Sequence, residues 1–206
     1  MLKCSSFKID SCVFLQVGLN PNDNFNSLIQ IFSKSKIITL NPIFLKNIFV
    51  RKHYINNLME DSTTSIGTIL FLSDYLVLWI GQQGGNKHLC LHYLIQDSRI
   101  RLSKTQFSTI CRFEQSINYE VQRQNTIFKP MAMQQLDELA IYLRKTFPWV
   151  TNYETLVKFA QLIEEEELKT VLQPSICLIG QIQFRATKQL VDRWMQLMSE
   201  THQVLY

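Results

Sequence analysis

Two closely spaced histidines are the first residues in this chain that suggest metal chemistry. His88 and His92 are four residues apart, with Cys90 between them. Residues at this spacing share one face of a helix and also one face of a strand. Imidazole nitrogens are common zinc ligands. No glutamate follows His88 to give the His-Glu-x-x-His pattern, and no third ligand is near, so we interpret the pair as surface histidines and predict no metal site.

Other patterns of charged and small residues also lack the spacing that catalysis requires. Glu164–Glu167 is a run of four acids, but successive helical side chains diverge by about 100°, so the run cannot converge on one cation. We interpret it as a solvated face. The stretches Ser62–Ser65 and Gly81–Gly85 fit neither phosphate-binding glycine motif, and no Gly-x-Ser-x-Gly motif occurs. We therefore expect a protein that is not an enzyme.

A group of aromatic residues in the last third of the chain gives a candidate interaction surface. These residues are Phe147, Trp149, Tyr153 and Trp194. Aromatic side chains are enriched at the energetic centres of protein interfaces. They also pack local cores, and that alternative remains open here.

Composition and charge indicate an ordinary globular protein. The chain has 206 residues, of which 46% are hydrophobic and 18% are charged, and its formal net charge is +4. This length permits one substantial core, or a domain with a helical extension. The mild positive charge permits nucleic-acid binding without requiring it, because the longest basic block is Arg51-Lys52-His53.

Cysteine usage and hydropathy favour a cytoplasmic location. The five cysteines are odd in number and scattered, without a Cys-x-x-Cys pair. We interpret them as reduced thiols. No apolar segment approaches the roughly 20 residues that span a bilayer, and the N-terminus lacks a signal-peptide pattern.

Short apolar runs between turn residues predict a mixed first half. The predicted elements are strands at Cys12–Val17, Ile37–Leu40 and Phe107–Phe113, two strands within Ile66–Ile80, a short helix at Leu28–Phe32 and a helix at Ile43–Met59. The segment Lys87–Gln96 stays open. Asn86 is a suitable helix N-cap, but the apolar residues of the segment also alternate as in a strand.

The second half is predicted to be mostly helical. The expected helices cover Met131–Arg144, a segment that opens with the capping-box pattern Thr151-x-x-Glu154, and Ala186–Glu200. Ser175–Phe184 is expected to be a strand. We divide the chain into an α+β domain at 1–128 and a helical extension with one short strand at 129–206.

Three elements in the first half resemble the BLUF family of flavin-binding blue-light sensors. They are Ile66–Asp74 with the apolar run that follows, Leu94–Arg99, and Arg112-Phe113 followed by Ser116 and Asn118. Their order and spacing carry the resemblance, which covers about residues 10 to 125. It implies a ferredoxin-like sheet with two helices that hold a flavin, and it places a helix end at Leu94–Arg99.

The resemblance also implies that the flavin site has degenerated. A strand tyrosine and a strand glutamine drive the family's photochemistry, and the matching positions here are Phe14 and Trp79. Phe14 has no hydroxyl, and Trp79 has no carbonyl acceptor. The tryptophan and methionine of the family's later segment correspond to Ser116 and Asn118.

These interpretations lead to a prediction about function. We expect a non-enzymatic bacterial regulatory or adaptor protein that acts by binding another protein, with homodimer formation left open and no cofactor. A flavin (FAD) blue-light sensor is one alternative. A nucleic-acid-binding regulator is another, although nucleic acid is not the expected partner.

Overall fold

The chain forms an α+β structure with two four-stranded antiparallel sheets. The computed structural model describes residues 1–34, 36–63, 65–150, 152–163, 168 and 178–203. One sheet has the strand order β1-β2-β3-β4 and the other has the order β5-β6-β7-β8. Each sheet is thus a meander in which neighbours along the chain are also neighbours in space. The predicted α+β class is confirmed.

The two meanders begin two successive segments with the same order of elements. The first segment contains β1 (Leu2–Lys8), β2 (Val13–Leu19), β3 (Ser27–Ser33), β4 (Lys36–Leu40), α1 (Pro42–Val50) and α2 (Lys52–Glu60). The second contains β5 (Ile69–Leu72), β6 (Leu76–Gln83), β7 (Asn86–Tyr93), β8 (Ser98–Ser103), α3 (Lys104–Arg112) and α4 (Glu114–Arg123). Four strands followed by two short helices therefore occur twice, a repeat that the sequence does not display.

Each helix pair has a capped start and a one-residue break. Asn41 caps α1 by accepting from the Ile43 N–H, and Ser103 caps α3 through a capping box with Gln106. The breaks fall at Arg51 (φ −100°, ψ 12°) and Phe113 (φ −83°, ψ 1°). These dihedrals lie in the bridge region, where the backbone leaves the regular helix.

The chain divides into two compact units. We call residues 5–17 and 28–122 the sheet unit, and residues 1–4, 18–27 and 123–206 the helical unit. The core of the sheet unit is built from the inward side chains of both sheets with residues of α1 to α4, such as Ile48, Ile55 and Phe107. Since strand side chains alternate between faces, each strand contributes every second residue to this core.

The helical unit has its own apolar core. A π-helical turn (Gln124–Phe128) leads into α5 (Lys129–Thr146), which is followed by α6 (Tyr153–Leu162), α7 (Ile179–Arg185) and α8 (Thr187–Gln203). Leu139, Leu143, Leu156, Leu190 and Trp194 are buried in this core. The helices predicted at Met131–Arg144 and Ala186–Glu200 are confirmed.

Three local predictions are wrong. Leu28–Phe32 lies in strand β3, because Ile29 and Ile31 point inward while Gln30 is less buried, which is a period of two. Phe107–Phe113 lies in and just after helix α3. This helix begins with a capping box at Ser103, a signal that the strand prediction did not use. Ile179–Arg185 is a helix, so the predicted strand at Ser175–Phe184 fails there, and residues 175–177 lie outside the described part.

The structure caps helix α6 at the residue after the predicted cap. Asn152 caps α6 by accepting from the Thr155 N–H, while the expected cap Thr151 lies outside the described residues, as does Glu164–Glu167.

The segment Lys87–Gln96, which the sequence left open between helix and strand, lies mostly in strand β7. The helix end that the BLUF resemblance places at Leu94–Arg99 is therefore wrong, since this stretch forms the turn after β7 and the start of β8. The meander order also differs from the interleaved order of a ferredoxin-like sheet.

Candidate functional site

The outer face of the second sheet carries an aromatic ring on β6 and two arginines on β8, with β7 between these two strands. In the strand pairing, Ile69 is opposite Trp79, Trp79 is opposite Cys90, and Cys90 is opposite Arg101. These four residues form one row across β5, β6, β7 and β8. The next row on the same face contains Val77, His92 and Arg99. The inward residues of the same strands, such as Leu78 and Leu91, are fully buried.

The indole of Trp79 reaches over the residue two positions along its strand, which is a glycine. A Cβ atom at Gly81 would be 3.0 Å from Cζ3 of Trp79 and 2.7 Å from Sγ of Cys90. Both distances are shorter than van der Waals contact, so the indole and the thiol occupy the space above Gly81. The six-membered ring of the indole therefore lies against the backbone at Gly81, and Trp79 is partly exposed. A partly exposed aromatic ring on a sheet can stack with an unpaired base.

Arg101 extends from β8 toward β6 on the same face. Its Nη1 donates to Oε1 of Gln83 at 2.8 Å, which brings the guanidinium from β8 over β7 toward β6. Within the described residues Arg101 has no ion pair, so its charge is not neutralised by a protein carboxylate. Burial raises the pKa of the Cys90 thiol beneath, and the positive charge of Arg101 opposes this rise. Cys90 is only 2% exposed.

Arg99 and His92 share a carboxylate at the end of the face. Asp97, in the β7–β8 turn, accepts from Arg99 Nη2 at 3.0 Å and contacts His92 Nε2 at 2.7 Å. The hydrogen bond from His92 and then that from Arg99 lower the pKa of Asp97, which stays ionised. His88 lies two positions before Cys90, and its Nδ1 contacts the backbone oxygen of Asn86.

The outer face of the first sheet carries a second aromatic surface. Phe14 on β2 and Phe32 on β3 stack with ring centroids 4.6 Å apart and an angle of 7° between the ring planes. Phe14 is 39% exposed. Polar side chains lie on the same strands, where Gln16 donates to Ser6 and Gln30 donates to Thr39.

The two sheets approach each other along β4 and β8 within the sheet unit. The Ser98 hydroxyl donates to the backbone oxygen of Ile37 at 3.5 Å. Phe32 is opposite Ile37 in the pairing of β3 with β4. Strands β4 and β8 are thus neighbours at this point of the sheet unit.

The positive charge of the chain belongs to the sheet unit. That unit contains eleven Lys and Arg residues against seven Asp and Glu, which gives +4. The helical unit contains ten of each and is neutral by the same count. The whole formal charge is thus carried by the unit that presents the two outer faces.

The sequence-predicted flavin positions do not come together. Phe14 and Trp79 lie on the outer faces of different sheets, and Ser116 and Asn118 are exposed on α4. Ser116 lines an open groove of ≈ 450 Å³ with Ser5, Ser6, Phe7, Gln115, Tyr119 and Glu120. This groove is formed by β1 and α4.

The predicted interaction residues divide between surface and core. Trp149 is 70% exposed and lies edge-on to Phe147, with ring centroids 6.0 Å apart. Tyr153 is partly exposed. Partial burial raises the pKa of its hydroxyl, and the negative charge of the nearby Asp192 carboxylate raises it further. Trp194 is fully buried and belongs to the core of the helical unit.

In the part of the chain that the structure describes, no three His, Cys, Asp or Glu side chains are grouped as metal ligands. None of the described helices combines the length and apolar character needed to cross a membrane.

Comparison of the chain with protein-family models, with curated proteins and with solved structures finds no match. The BLUF resemblance therefore stays a prediction.

Several residues of the outer faces were missed by sequence reasoning. Gly81 was considered only as the start of Gly81–Gly85, Arg99 only as the end of Leu94–Arg99, and Phe32 only as the end of a predicted helix. Arg101 was not singled out, although Ser98–Ser103 reads as polar and apolar residues in alternation. That alternation was the available signal for a strand with a cationic outer face. The packing of Trp79 on Gly81 had a weaker signal, an aromatic residue two positions before a glycine in a strand.

Proposed function

We propose that this protein binds single-stranded nucleic acid on the outer faces of its two sheets. The observation that carries the proposal is the partly exposed indole of Trp79 over Gly81, which lies in one row of the outer face with Arg101 two strands away. Single-stranded binders combine aromatic surfaces for unpaired bases with cationic groups for the phosphates. The bases of a duplex are already stacked on one another, so an aromatic ring that is accessible on a sheet face favours a single strand.

The remaining features of the faces support this assignment. Phe14 and Phe32 supply a second stacking surface, and the amides of Gln16 and Gln30 supply hydrogen-bonding groups for base edges. The net charge of +4 in the sheet unit favours a polyanion. The mild total charge does not by itself indicate nucleic acid, but its concentration in the sheet unit is the reason to prefer nucleic acid to a protein partner.

The test is binding of labelled oligothymidylate and oligouridylate, measured by fluorescence anisotropy at low salt, with a duplex of equal length as competitor. Stacking on an aromatic residue contributes about 1–3 kcal/mol per base, so Trp79→Ala should weaken binding roughly 5- to 150-fold. Trp149→Ala is the matched control, because it removes the same side chain from an exposed position of the helical unit. Equal effects of the two substitutions, or no binding by the unaltered protein, would reject the proposal.

A protein-binding adaptor is the second candidate function. The exposed Trp149 favours it, since this ring borders an open groove of ≈ 270 Å³ lined by Val150, Asn152, Thr155 and Phe159. An adaptor of this kind would bind its partner in a manner that depends on Trp149 and not on Trp79. A flavin-binding sensor stays the third alternative, and the visible absorption spectrum after incubation with flavin tests it.

A further inference from the structure

Two stacked phenylalanines lie at one end of the outer face of the first sheet. The backbone N–H of Lys34 donates to the backbone oxygen of Cys12 at 3.3 Å, which aligns β3 with β2 at this end. In that alignment Phe14 and Phe32 are directly opposite each other, and their rings stack. Each ring covers one face of the other, so a further aromatic ring can extend the stack only at the outward face of either phenylalanine.

A glutamine is the next residue on the same face beside each phenylalanine. Because strand side chains alternate between faces, these residues are Gln16 on β2 and Gln30 on β3. Nε2 of Gln16 donates to the Ser6 hydroxyl at 3.1 Å, and Nε2 of Gln30 donates to the Thr39 hydroxyl at 3.2 Å. An amide has two N–H donors and one carbonyl acceptor, so each glutamine retains one N–H and its oxygen. Among the described residues, neither oxygen accepts a hydrogen bond.

Three exposed lysines lie near the aromatic end of this face. Lys8 ends β1, and Lys34 and Lys36 lie in and beside the β3–β4 turn that follows Phe32. Within the described part of the chain, none of the three lysines forms an ion pair. The Asp10 carboxylate in the β1–β2 turn accepts two backbone N–H groups. Cationic side chains near a stacking surface favour a ligand that carries phosphate beside its ring, as a nucleotide does.

We infer that this face selects adenine among the bases of a bound single strand. The base extends the stack at the outward face of a phenylalanine, and the neighbouring glutamine binds the edge of the base through its oxygen and remaining N–H. Adenine presents the matching pair, the N6 donor and the N7 acceptor, and glutamine commonly binds both. On the same edge of guanine N7 and O6 are both acceptors, so O6 would face the amide oxygen. The inference rests on the proposed function and adds base selectivity to it.

The outer face of the second sheet has no equivalent pair of amides in the rows beside Trp79. Those rows contain aliphatic, cysteine, histidine and arginine side chains. The oxygen of Gln83 at the end of β6 accepts from Arg101. Since every base has an aromatic face, we expect Trp79 to stack with all bases alike.

The experiment compares two labelled strands of equal length, measured by fluorescence anisotropy with the full-length protein. One strand is oligodeoxyadenylate, and the other carries unsubstituted purine, which keeps the ring and lacks the N6 amino group. We expect the adenylate strand to bind at least about fivefold more tightly, which is the lower end of the discrimination from one bidentate contact. A double variant with Gln16→Leu and Gln30→Leu should bind the two strands equally, because leucine is of similar size and has no amide.

Gln134→Leu is the matched control, because it removes an exposed glutamine from α5 in the helical unit, and it should keep the preference for adenine. Trp79→Ala should weaken binding of both strands by the same factor. Equal affinity of the unaltered protein for the two strands would overturn the inference and leave the proposed function intact, and this comparison needs no variant to fold. A preference that survives in the folded double variant would also overturn it. Absence of binding to either strand would overturn the inference and the proposed function together.

Discussion

At the scale of single residues, Gly81 decides the orientation of Trp79. Any larger side chain would place its Cβ 2.7 Å from Cys90 Sγ and 3.0 Å from the indole. Cys90 is buried, so its Sγ has little room to move away. The glycine is needed for this close approach and not for an unusual backbone angle, since its φ is not positive.

We predict that Gly81→Ala destabilises the protein through steric overlap. Overpacking of this kind costs about 1–3 kcal/mol, which urea unfolding followed by circular dichroism would measure. Adding Cys90→Ala should recover part of the lost free energy of unfolding, because the shorter of the two contacts is removed. A double variant that is no more stable than Gly81→Ala alone would contradict this account. Binding of single-stranded nucleic acid should weaken in Gly81→Ala for the same geometric reason.

At the scale of elements, the start of α3 connects the second sheet to the first hairpin. Ser103 and Gln106 form the capping box, and Gln106 Nε2 also donates to Asp10 Oδ2 at 2.6 Å. Asp10 Oδ1 accepts the backbone N–H groups of Cys12 and Val13, both at 2.7 Å. The hydrogen bond from Gln106 and then those from the backbone lower the pKa of Asp10.

We predict that Ser103→Ala lowers the free energy of unfolding by about 1 kcal/mol, as loss of an N-cap usually does.

We also predict that Asp10→Asn is less stable than the unaltered protein at neutral pH. Since the pKa of Asp10 is lowered by folding, its contribution is present above the pKa of the unfolded chain and is lost as the pH falls through the folded value. The difference between Asp10→Asn and the unaltered protein should therefore shrink toward acid pH. A difference that is constant with pH would contradict the role of the Asp10 carboxylate.

At the scale of the whole molecule, the unequal charge of the two units predicts how binding responds to salt. The sheet unit carries +4 and the helical unit is neutral by formal count. When a protein neutralises phosphates on binding, the logarithm of its affinity falls linearly with the logarithm of the salt concentration.

We predict that Arg101→Gln reduces the magnitude of this slope by about 1, as expected when one phosphate contact is lost. Lys158→Gln removes one positive charge from an exposed position on α6 in the helical unit, and it should leave the slope unchanged. The measurement is the anisotropy titration repeated at several salt concentrations. Equal reductions in both variants would indicate a general charge effect and not a contact at the sheet face.

The sequence by itself determined the elements whose signals lie in neighbouring residues. Two apolar runs separated by Ser73-Asp74 predicted the two strands within Ile66–Ile80, and helical periodicity predicted α5 and α8. These signals are local, because turn residues and periodic side chains act on the backbone beside them. Where the local signal was ambiguous, as in Leu28–Phe32 and Phe107–Phe113, the predicted type of element was wrong.

Only the tertiary structure decided which residues meet on the outer faces. Cys90 lies eleven positions after Trp79, and Arg101 lies eleven positions after Cys90. Only the register of β6, β7 and β8 places these three residues in one row. A shift of one residue in that register would move each side chain to the other face. Register depends on which apolar side chains enter the common core, and that choice involves both sheets and four helices at once. The sequence identified Trp79 and Phe14 as candidate site residues, and only the pairing of the strands shows which residues lie beside them.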